Sequence, residues 1–384
     1  MSEFMAGAAA IEITPPLGGK MAGYAGRDEG SRAIGDPLYA KALVVADGVT
    51  KAAIIANDLL GMPAACVARV RARIAEVTDI PPGNVVVCCS HTHFGPEIRE
   101  DDGDPYVDVL CAQLATAAIL ANDALRPARM GHGRGLVDCI SFNRHTTLPD
   151  GKAQTNYTMP ADTSGLTFGP IDPTVRVLRV DGDDGAPIAS LISFACHPVT
   201  STDHMLRLSA DYPGHAMNVL ESEEGGICLF GLGCAGNQVP IRRQGAYPRM
   251  IGQTLGGEAL KAWQWIETSP EPSDAAPAIR SASRDPVLPL KEGGEEAIEV
   301  SAIAVGDVVF LGLPGEIFVE VGLDIADRAD IDGLFTLSMA NGSVGYIPTR
   351  IAFDQGGYES GVSRFAPGCG EALADAAVAT IAGL

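Results

Sequence analysis

Two histidines separated by one residue are the first candidates for chemistry in this sequence. His91 and His93 follow the apolar run 85–89, within the segment Ser-His-Thr-His-Phe-Gly-Pro. Imidazole is a common zinc ligand, and a catalytic zinc needs about three protein ligands and an open position. On an extended chain, residues two apart face the same side, so both rings could enter one cavity. Spacing alone leaves a pair of hydrogen-bonded structural histidines equally open.

Further side chains with ligand chemistry follow apolar runs or lie in loops: His197, His204, His215, Glu316 and Tyr346. His197 comes directly after an apolar run, and the other two histidines compete with it as a ligand. Glu316 also follows an apolar run, where a carboxylate is equally favoured at the beginning of a helix. The sequence contains no HExxH motif, no P-loop, no GxGxxG after a strand and no GxSxG elbow.

A pattern that occurs three times predicts the elements that position these residues. A strand, a turn with Gly or Asp and a second strand are followed by polar residues, in the ranges 42–58, 175–198 and 300–316. Such turns are typical of β-hairpins. The polar residues that follow the second strands are Asn57, Asp58, His197 and Glu316. Polar groups at strand ends are a common way to build a site on a rigid scaffold.

Helical periodicity is clearest before the histidine pair. Val67, Val70 and Ile74 recur at helical spacing and predict an amphipathic helix at 63–78, followed by a buried strand at 85–89. Hairpins mixed with helices favour an α/β fold with layered mixed β-sheets and flanking helices.

Two stretches have little periodicity. The segment 145–173 is predicted to be a long loop, and 267–282 a surface connection. Neither divides the chain, so we expect a single domain over residues 5–384.

Composition limits the class of protein. The 384 residues are 46% hydrophobic and 20% charged, which favours a globular chain. A formal net charge of −21 argues against nucleic acid as a partner and against stable association with anionic membranes. No apolar run of about 18 residues occurs, and the N-terminal residues lack the pattern expected of a secretory signal, so neither a membrane span nor such a signal is predicted. The nine cysteines, several of them in apolar runs, favour reduced thiols and a cytoplasmic location. A homo-oligomer is left open.

Several ordered segments match one known family. They are Ala9–Pro16, Met21–Tyr24, Asn84–Pro96, Asn143-Arg144, Phe194–Pro198, Ser209–Asp211, Leu313–Glu316, Gly345–Thr349 and Gln355–Glu359. Together they resemble the neutral/alkaline, non-lysosomal ceramidase family, from about residue 9 to 370. The resemblance implies the fold of that family's catalytic domain. The family's C-terminal immunoglobulin-like domain is not expected in this chain.

The resemblance also implies the residues of a zinc site. The implied ligands are His91, His197, Glu316 and Tyr346. Two imidazoles, a carboxylate and a phenol leave room for water or a substrate oxygen, as a catalytic zinc requires.

Other matching positions are assigned to substrate. His93, Arg144 and Tyr358 fall on positions that contact the scissile amide and its oxyanion, and Asn237 and Tyr24 are predicted to bind substrate. We further expect Asp211 or Asp58 to orient a ligand histidine and to act with the catalytic groups.

One residue departs from the family pattern. Where the family has Gly-Asn/Asp-x-Ser-Pro with a catalytic serine, this chain has Gly-Asn-Gln-Val-Pro, with Val239 at the serine position. Cys234 is close in sequence but does not occupy that position. No acyl-enzyme is therefore expected.

The sequence accordingly predicts a zinc-dependent hydrolase of the amidase or lactonase type. It would use metal-activated water to cleave an amide, lactone or ester bond in a small polar molecule. His93 or Tyr358 would stabilise the oxyanion, and Arg144 would clamp a carboxylate or another polar oxygen group. The alternatives are a ceramidase-like N-acyl amidase that acts on a lipid, a non-catalytic zinc- or ligand-binding relative, and a zinc-dependent lyase or isomerase.

Overall fold

The structure is a computed structural model that describes residues 4–99, 104–268 and 279–384. Its strands are β1 (Met5–Glu12), β2 (Ala33–Ile34), β3 (Tyr39–Ala46), β4 (Lys51–Asn57), β5 (Val85–Cys89), β6 (Arg126–Leu136), β7 (Ser141–Asn143), β8 (His145–Thr147), β9 (Ala153–Thr155), β10 (Thr167–Phe168), β11 (Thr174–Gly182), β12 (Pro187–Phe194), β13 (Arg207–Leu208), β14 (Ile227–Leu232), β15 (Gln238–Pro240), β16 (Ile279–Arg284), β17 (Val287–Pro289), β18 (Glu295–Ala297), β19 (Val300–Val305), β20 (Val308–Gly312), β21 (Glu316–Ile317), β22 (Gly333–Leu337) and β23 (Tyr346–Ile347). Its helices are α1 (Ala64–Val77), α2 (Pro105–Asp123), α3 (Asp211–Glu223), α4 (Tyr247–Gln264), α5 (Val319–Ala329), α6 (Arg350–Gln355), α7 (Tyr358–Val362) and α8 (Cys369–Ile381), with a 3₁₀ turn at Pro82–Asn84.

Two mixed β-sheets pack face to face, and helices cover both outer faces. The larger sheet has eight strands in the order β14-β12-β11-β6-β1-β3-β4-β5, and the smaller has four in the order β16-β19-β20-β22. Helices α1 to α4 pack on the outer face of the larger sheet, and α5 and α8 on that of the smaller. The predicted fold class is therefore confirmed, with four layers in all.

Burial on both faces explains why the main strands read as continuous apolar runs. In β3, Ala42 and Val44 face the helices, whereas Leu43 and Val45 face the smaller sheet. Phe310 of the smaller sheet lies in the same layer between the sheets and is 1% exposed. Alternation of polar and apolar residues is absent because neither face of these strands meets water.

The three predicted hairpins are present. Strands β3 and β4, β11 and β12, and β19 and β20 are antiparallel pairs. After each hairpin the chain forms a helix and returns as a strand parallel to the second one: β5, β14 and β22 respectively. The sequence predicted only the hairpins as a repeated feature. In the structure the repeated unit is longer and consists of two antiparallel strands, a helix and a third strand parallel to the second.

Sheet twist brings distant strand ends to one place. Strands β5 and β12 are separated by six steps in the larger sheet and run in opposite nominal directions. A rotation of about 20–25° per step accumulates to roughly 120–150°, which turns their carboxyl ends toward each other. Accordingly, β14 contacts β3, β4 and β5 across the fold. The residues that follow β5 and β12 therefore meet.

Several local predictions can be compared with the structure. The helix predicted at 63–78 and the strand at 85–89 are confirmed as α1 and β5. The long loop predicted at 145–173 is wrong in part, because β8, β9 and β10 form a small sheet there. These strands have only two or three residues each, too few to show a period. Of the connection predicted at 267–282, residues 269–278 lie outside the described residues, and β16 begins at Ile279.

One helix of the described residues, α2, is long and apolar enough to cross a membrane by length and composition alone. In the structure it contacts β1 and β3, and Leu110, Leu114 and Ala118 belong to the core. Asp108 and Gln113 interrupt its apolar residues, so the sequence shows no continuous apolar run of that length. Its buried face makes it a core helix of this fold.

We predict that Phe310→Ala lowers the free energy of unfolding by about 3–5 kcal/mol, because truncation leaves a cavity between the two sheets. The matched control is Val77→Ala, at a side chain that is 63% exposed, which should stay within about 0.5 kcal/mol of the parent. Denaturant unfolding of the parent and both variants measures this. Equal stabilities for Phe310→Ala and the parent would contradict a core that depends on sheet-to-sheet packing.

Candidate metal centre

His91 lies two residues beyond β5 in the left-handed backbone region, with φ of 67°. That conformation costs a residue with a side chain roughly 1–2 kcal/mol, and such strain is typical of functional positions. The His91 amide donates to the Leu59 carbonyl at 2.9 Å, which holds the turn. The extended geometry predicted for the histidine pair is therefore wrong. The turn at His91 brings its ring to 4.9 Å from that of His93, nearly perpendicular at 89°.

Three buried histidines and one carboxylate converge on a single point. One ring nitrogen from each of His91, His93 and His197 lies within 4.8 Å of the others. The Nε2 atoms of His91 and His93 are 3.4 Å apart. Glu316 Oε2 lies 3.3 Å from His91 Nε2 and 3.1 Å from His197 Nε2. A cluster that could hold a metal ion is thus present.

Backbone carbonyls fix the protons of these imidazoles. The Nδ1 atoms of His91, His93 and His197 face the carbonyl oxygens of Leu60, Gly23 and Ala235 at 2.7, 3.0 and 2.5 Å. Since a carbonyl only accepts, each Nδ1 carries the proton and each neutral ring presents a lone pair at Nε2. These lone pairs face one another and a carboxylate oxygen. A shared cation removes that repulsion, so the donor set fits a metal ion.

The charge states agree with this arrangement. Burial lowers the pKa of His197 to about 4, and burial together with the neighbouring His91 lowers the pKa of His93 well below its usual value. Burial would raise the pKa of Glu316, but the adjacent His91 and His197 hold it well below its usual range. Neutral imidazoles and an ionised carboxylate are the forms that bind metal.

Tyr346 joins the cluster through strand pairing. Glu316 in β21 and Tyr346 in β23 are register partners in a parallel pair. The Tyr346 ring stacks on His197, with centroids 6.4 Å apart and an interplanar angle of 22°. The structure therefore brings together all four residues that the resemblance assigned to zinc. His204 is instead 55% exposed at its side chain, and His215 lies in α3 outside the histidine cluster.

Arg144 is held by protein groups, contrary to the clamp predicted for it. Its Nε donates to Glu359 Oε1 at 2.6 Å, and both side chains are buried. Its Nη2 donates to the Tyr346 hydroxyl at 2.9 Å and to the Gly236 carbonyl at 3.2 Å. Glu359, Tyr346 and Gly236 together thus occupy the Nε and Nη2 edge of the guanidinium that a substrate carboxylate would need. Arg144 orients Tyr346 instead.

Two tyrosines border the cluster. The Tyr358 ring lies 5.8 Å from that of Tyr346, and its side chain is 42% exposed, which places it on the open side. Tyr157 packs edge-on against Tyr358, at 6.0 Å between centroids. Tyr358 had been predicted from the resemblance. Tyr157 had not, because it stands in a segment without periodicity or a matching motif.

The segment after Met21 forms a wall beside His93. The Tyr24 ring lies edge-on to the His93 ring at 5.1 Å. Arg27 donates to the carbonyls of His93 and Ala22 at 2.8 and 2.9 Å, which ties this segment to the site. Tyr24, predicted to bind substrate, therefore lies next to a residue of the cluster.

The substrate contact predicted for Asn237 is wrong. Its side chain is fully buried, its Nδ2 donates to Glu320 Oε2 at 2.7 Å, and its Oδ1 accepts from the Val319 amide at 2.9 Å. These bonds attach the loop after β14 to the first turn of α5. Asn237 is therefore a structural residue that holds this loop in place.

Neither carboxylate that was expected to orient a ligand histidine does so. Asp211 accepts from the amides and hydroxyls of Thr200 and Ser201, at 2.6 to 3.2 Å. Asp58 accepts from the Tyr39 amide at 2.8 Å. The histidines are oriented by backbone carbonyls instead, a role that no sequence pattern reveals.

The side chain at the position where the family pattern has serine offers no nucleophile. Val239 is fully buried in β15, where it pairs with Phe142. Cys234 is buried as well, and burial raises the pKa of its thiol to about 12. A thiol of that kind is protonated at neutral pH and inert.

Comparisons with known proteins were made for the whole chain, and no protein-family model matches it. Neutral ceramidase B of Dictyostelium discoideum is 24% identical over 162 residues, which are 39% of this chain and 21% of that relative. The crystal structure of neutral ceramidase from Pseudomonas aeruginosa superposes with a TM-score of 0.79 at 17% identity, covering 100% of this chain and 75% of that one. A structure of ceramidase complexed with C2 has a TM-score of 0.79 at 16% identity, covering 99% and 75%.

The predicted resemblance to the neutral ceramidases is thereby confirmed. The chain has the fold of these proteins and resembles them in sequence. The aligned segment spans 21% of the length of the curated relative.

We predict that Glu316→Gln weakens zinc binding by more than about 100-fold, since loss of mere outer partners of a metal ligand costs 10–100-fold. Zinc titration calorimetry and metal analysis after dialysis provide the measurement. Glu292→Gln, at an exposed turn, is the matched control and should retain full affinity. Unchanged stoichiometric binding by Glu316→Gln would remove this carboxylate from the site.

We predict that the stability of the protein depends on pH through Asp58. Burial raises its pKa to about 7 from 3.8, so its contribution to stability is full below about pH 4 and is lost as pH rises through 7. Asp58→Asn keeps an acceptor for the Tyr39 amide but does not titrate. As pH rises from 4 to 7, the unfolding free energy of this variant should increase relative to that of the parent. The increase is about 1.4 kcal/mol for each tenfold difference in the proton affinity of Asp58 between the folded and unfolded states. Asp285→Asn, on the surface, should follow the parent, and a pH-independent difference for Asp58→Asn would contradict the prediction.

Proposed function

We propose that this chain is a zinc-dependent hydrolase that cleaves an amide, lactone or ester bond in a small polar substrate. The observation that carries the proposal is the convergence of unprotonated Nε2 atoms and an ionised carboxylate at one buried point. Nitrogen and oxygen donors of this kind, with a position left open, match the ligands of catalytic zinc. The likeness to neutral ceramidases in fold supports a hydrolase over other zinc enzymes.

His91, His197 and Glu316 would hold the metal, with Tyr346 as the fourth ligand. Zinc, when bound, would activate water and polarise the scissile carbonyl. Arg144 donates to the Tyr346 hydroxyl and so fixes the direction of that phenol. The strained turn at His91 supports this assignment, since such a conformation persists only where the surroundings impose it.

His93 and Tyr358 would divide the proton transfers between them. His93 has its proton on Nδ1, which faces the Gly23 carbonyl, so its neutral ring offers an acceptor at Nε2. We assign it the role of a base, or of a further ligand, and not of the oxyanion donor. Tyr358 carries a hydroxyl on the open side of the cluster, and burial raises its pKa, so the phenol can donate to a developing oxyanion.

The side chains at positions 239 and 234 support direct attack by water. Val239 has no reactive atom, and the buried Cys234 thiol is not ionised at neutral pH. A covalent acyl-enzyme needs an activated nucleophile next to a base. In the proposed mechanism the substrate therefore exchanges its leaving group for water in one displacement.

We predict that chelator treatment abolishes turnover and that added zinc restores it. The protein should be screened against N-acyl amino acids, lactones and simple esters, with hydrolysis followed by mass spectrometry in ¹⁸O-water. One solvent oxygen should enter the acid product. Full activity of a verified metal-free protein would refute the zinc mechanism.

The same experiment separates the alternatives. Zinc-dependent conversion without incorporation of solvent oxygen would favour a lyase or isomerase. Stoichiometric zinc binding with no turnover of any acyl compound would favour a non-catalytic binding protein, and activity confined to long-chain N-acyl lipids would favour a lipid amidase.

A further inference from the structure

A guanidinium without a protein acceptor lies near the metal centre. Arg243 has its Nε and Nη2 atoms buried, and among the described residues no group accepts a hydrogen bond from either. The Tyr24 hydroxyl is likewise buried without a partner. Leaving buried donors of this kind unpaired costs about 1–3 kcal/mol each, and more for a charged group. Such groups are therefore expected to have a use.

The other two arginines of this region show the contrast. Arg27 has one buried donor without a partner, Nε, but it donates through both terminal nitrogens to backbone carbonyls, and Arg144 donates to Glu359, Tyr346 and Gly236. Both are thus structural cations. Arg243 has no salt bridge within the described part of the chain.

The two unpaired atoms of Arg243 are significant as a pair. Nε and Nη2 lie on the same edge of the planar guanidinium and point their hydrogens in parallel. That edge matches the two oxygens of a carboxylate, which it binds with two parallel hydrogen bonds. In Arg144 the equivalent edge is already used by protein groups, since Nε donates to Glu359 and Nη2 donates to Tyr346 and Gly236.

The backbone around Arg243 is anchored on both sides. The Ile241 amide donates to the Ile140 carbonyl at 2.9 Å, and the Gln244 amide to the Thr200 carbonyl at 2.6 Å. Gln244 has a left-handed φ of 73°, and Thr200 is fixed in turn by Asp211. A side chain on such a segment is presented in a defined direction, which a binding site requires.

Local charge also favours an anion. Tyr24, Arg243 and Arg144 are close enough to perturb one another, and the nearby Asp211 already accepts from four donors. An ordinary phenol is protonated at neutral pH, so the unpartnered Tyr24 hydroxyl can donate. Since Arg144 is paired with Glu359, Arg243 is the cation of this group whose carboxylate-binding edge has no partner among the described residues. Because Tyr24 touches the His93 ring, Tyr24 and Arg243 lie beside the candidate metal centre.

We propose that Arg243, with Tyr24, binds a carboxylate of the ligand, so that the substrates are acyl compounds that carry a free carboxylate beside the scissile bond. That these compounds are substrates rests on the proposed hydrolase function. Carboxylate binding at Arg243 does not depend on that function and can be tested without turnover.

The binding test uses the full chain as purified, because any carboxylate that a metal ion in the cluster binds is common to the parent and to the Arg243 variants. The probes are 4,4,4-trifluorobutanoate and its neutral amide, titrated and followed by ¹⁹F NMR. We expect the acid to bind more tightly than the amide, and Arg243→Gln to reduce that preference by at least about tenfold. Arg243→Lys keeps the charge but not the paired donors and should fall between them. Arg242→Gln, at the exposed neighbouring residue, should match the parent.

Thermal denaturation separates a binding role from a structural one. Removal of a buried unpaired charge should leave the melting temperature of free Arg243→Gln equal to or higher than that of the parent. The rise that trifluorobutanoate gives the parent should be lost. If Arg243→Gln melts well below the parent, or keeps the preference for the acid, the proposal is overturned.

Turnover distinguishes the two proposals. With zinc-loaded protein, the mono-4-nitroanilide of succinic acid should be hydrolysed faster than butanoic 4-nitroanilide, and Arg243→Gln should remove the difference, mainly through KM. Carboxylate binding at Arg243 without hydrolysis of any acyl compound would leave this inference standing and count against the hydrolase. Hydrolysis with no preference for the acid, in binding or in turnover, would support the hydrolase and overturn carboxylate binding at Arg243.

Discussion

The lone pairs of three buried imidazoles face one another in this structure, and the described protein groups do not relieve their repulsion. Carbonyl oxygens of Leu60, Gly23 and Ala235 hold the Nδ1 protons of the three histidines, which leaves only lone pairs at the facing nitrogens. An ionised carboxylate completes the cluster. Buried bases with no hydrogen between them are unfavourable unless a cation is shared, because little water is present to screen them.

The architecture serves to bring these groups together from distant parts of the chain. Each repeated unit ends its second or third strand with a polar segment, and the twist of the larger sheet turns the ends of β5 and β12 toward the same place. The smaller sheet supplies Glu316 and Tyr346 through the parallel pair β21 and β23. Apolar packing between the sheets therefore helps to set the distances in the candidate metal centre.

Two arginines have different positions beside the centre. Arg144 is neutralised by Glu359 and orients a phenol, whereas Arg243 keeps the carboxylate-binding edge of its guanidinium free of protein acceptors. Together with Val239 at the position where the ceramidase pattern has serine, this free edge is the basis on which we propose an anionic acyl compound, and not a neutral lipid amide, as the substrate.

The sequence by itself determined the fold class, the three hairpins, α1 and the four candidate ligands. These features depend on runs of apolar residues and on segments whose order matches a known family. Tertiary structure decided the rest: the left-handed turn at His91, the burial of Asn237, the use of Asp211 to fix a loop, and the unpaired edge of Arg243. The physical reason is that a polar side chain's role depends on its hydrogen-bond partners. Here Arg144 and Glu359 are 215 residues apart, a pairing that no local spacing can reveal.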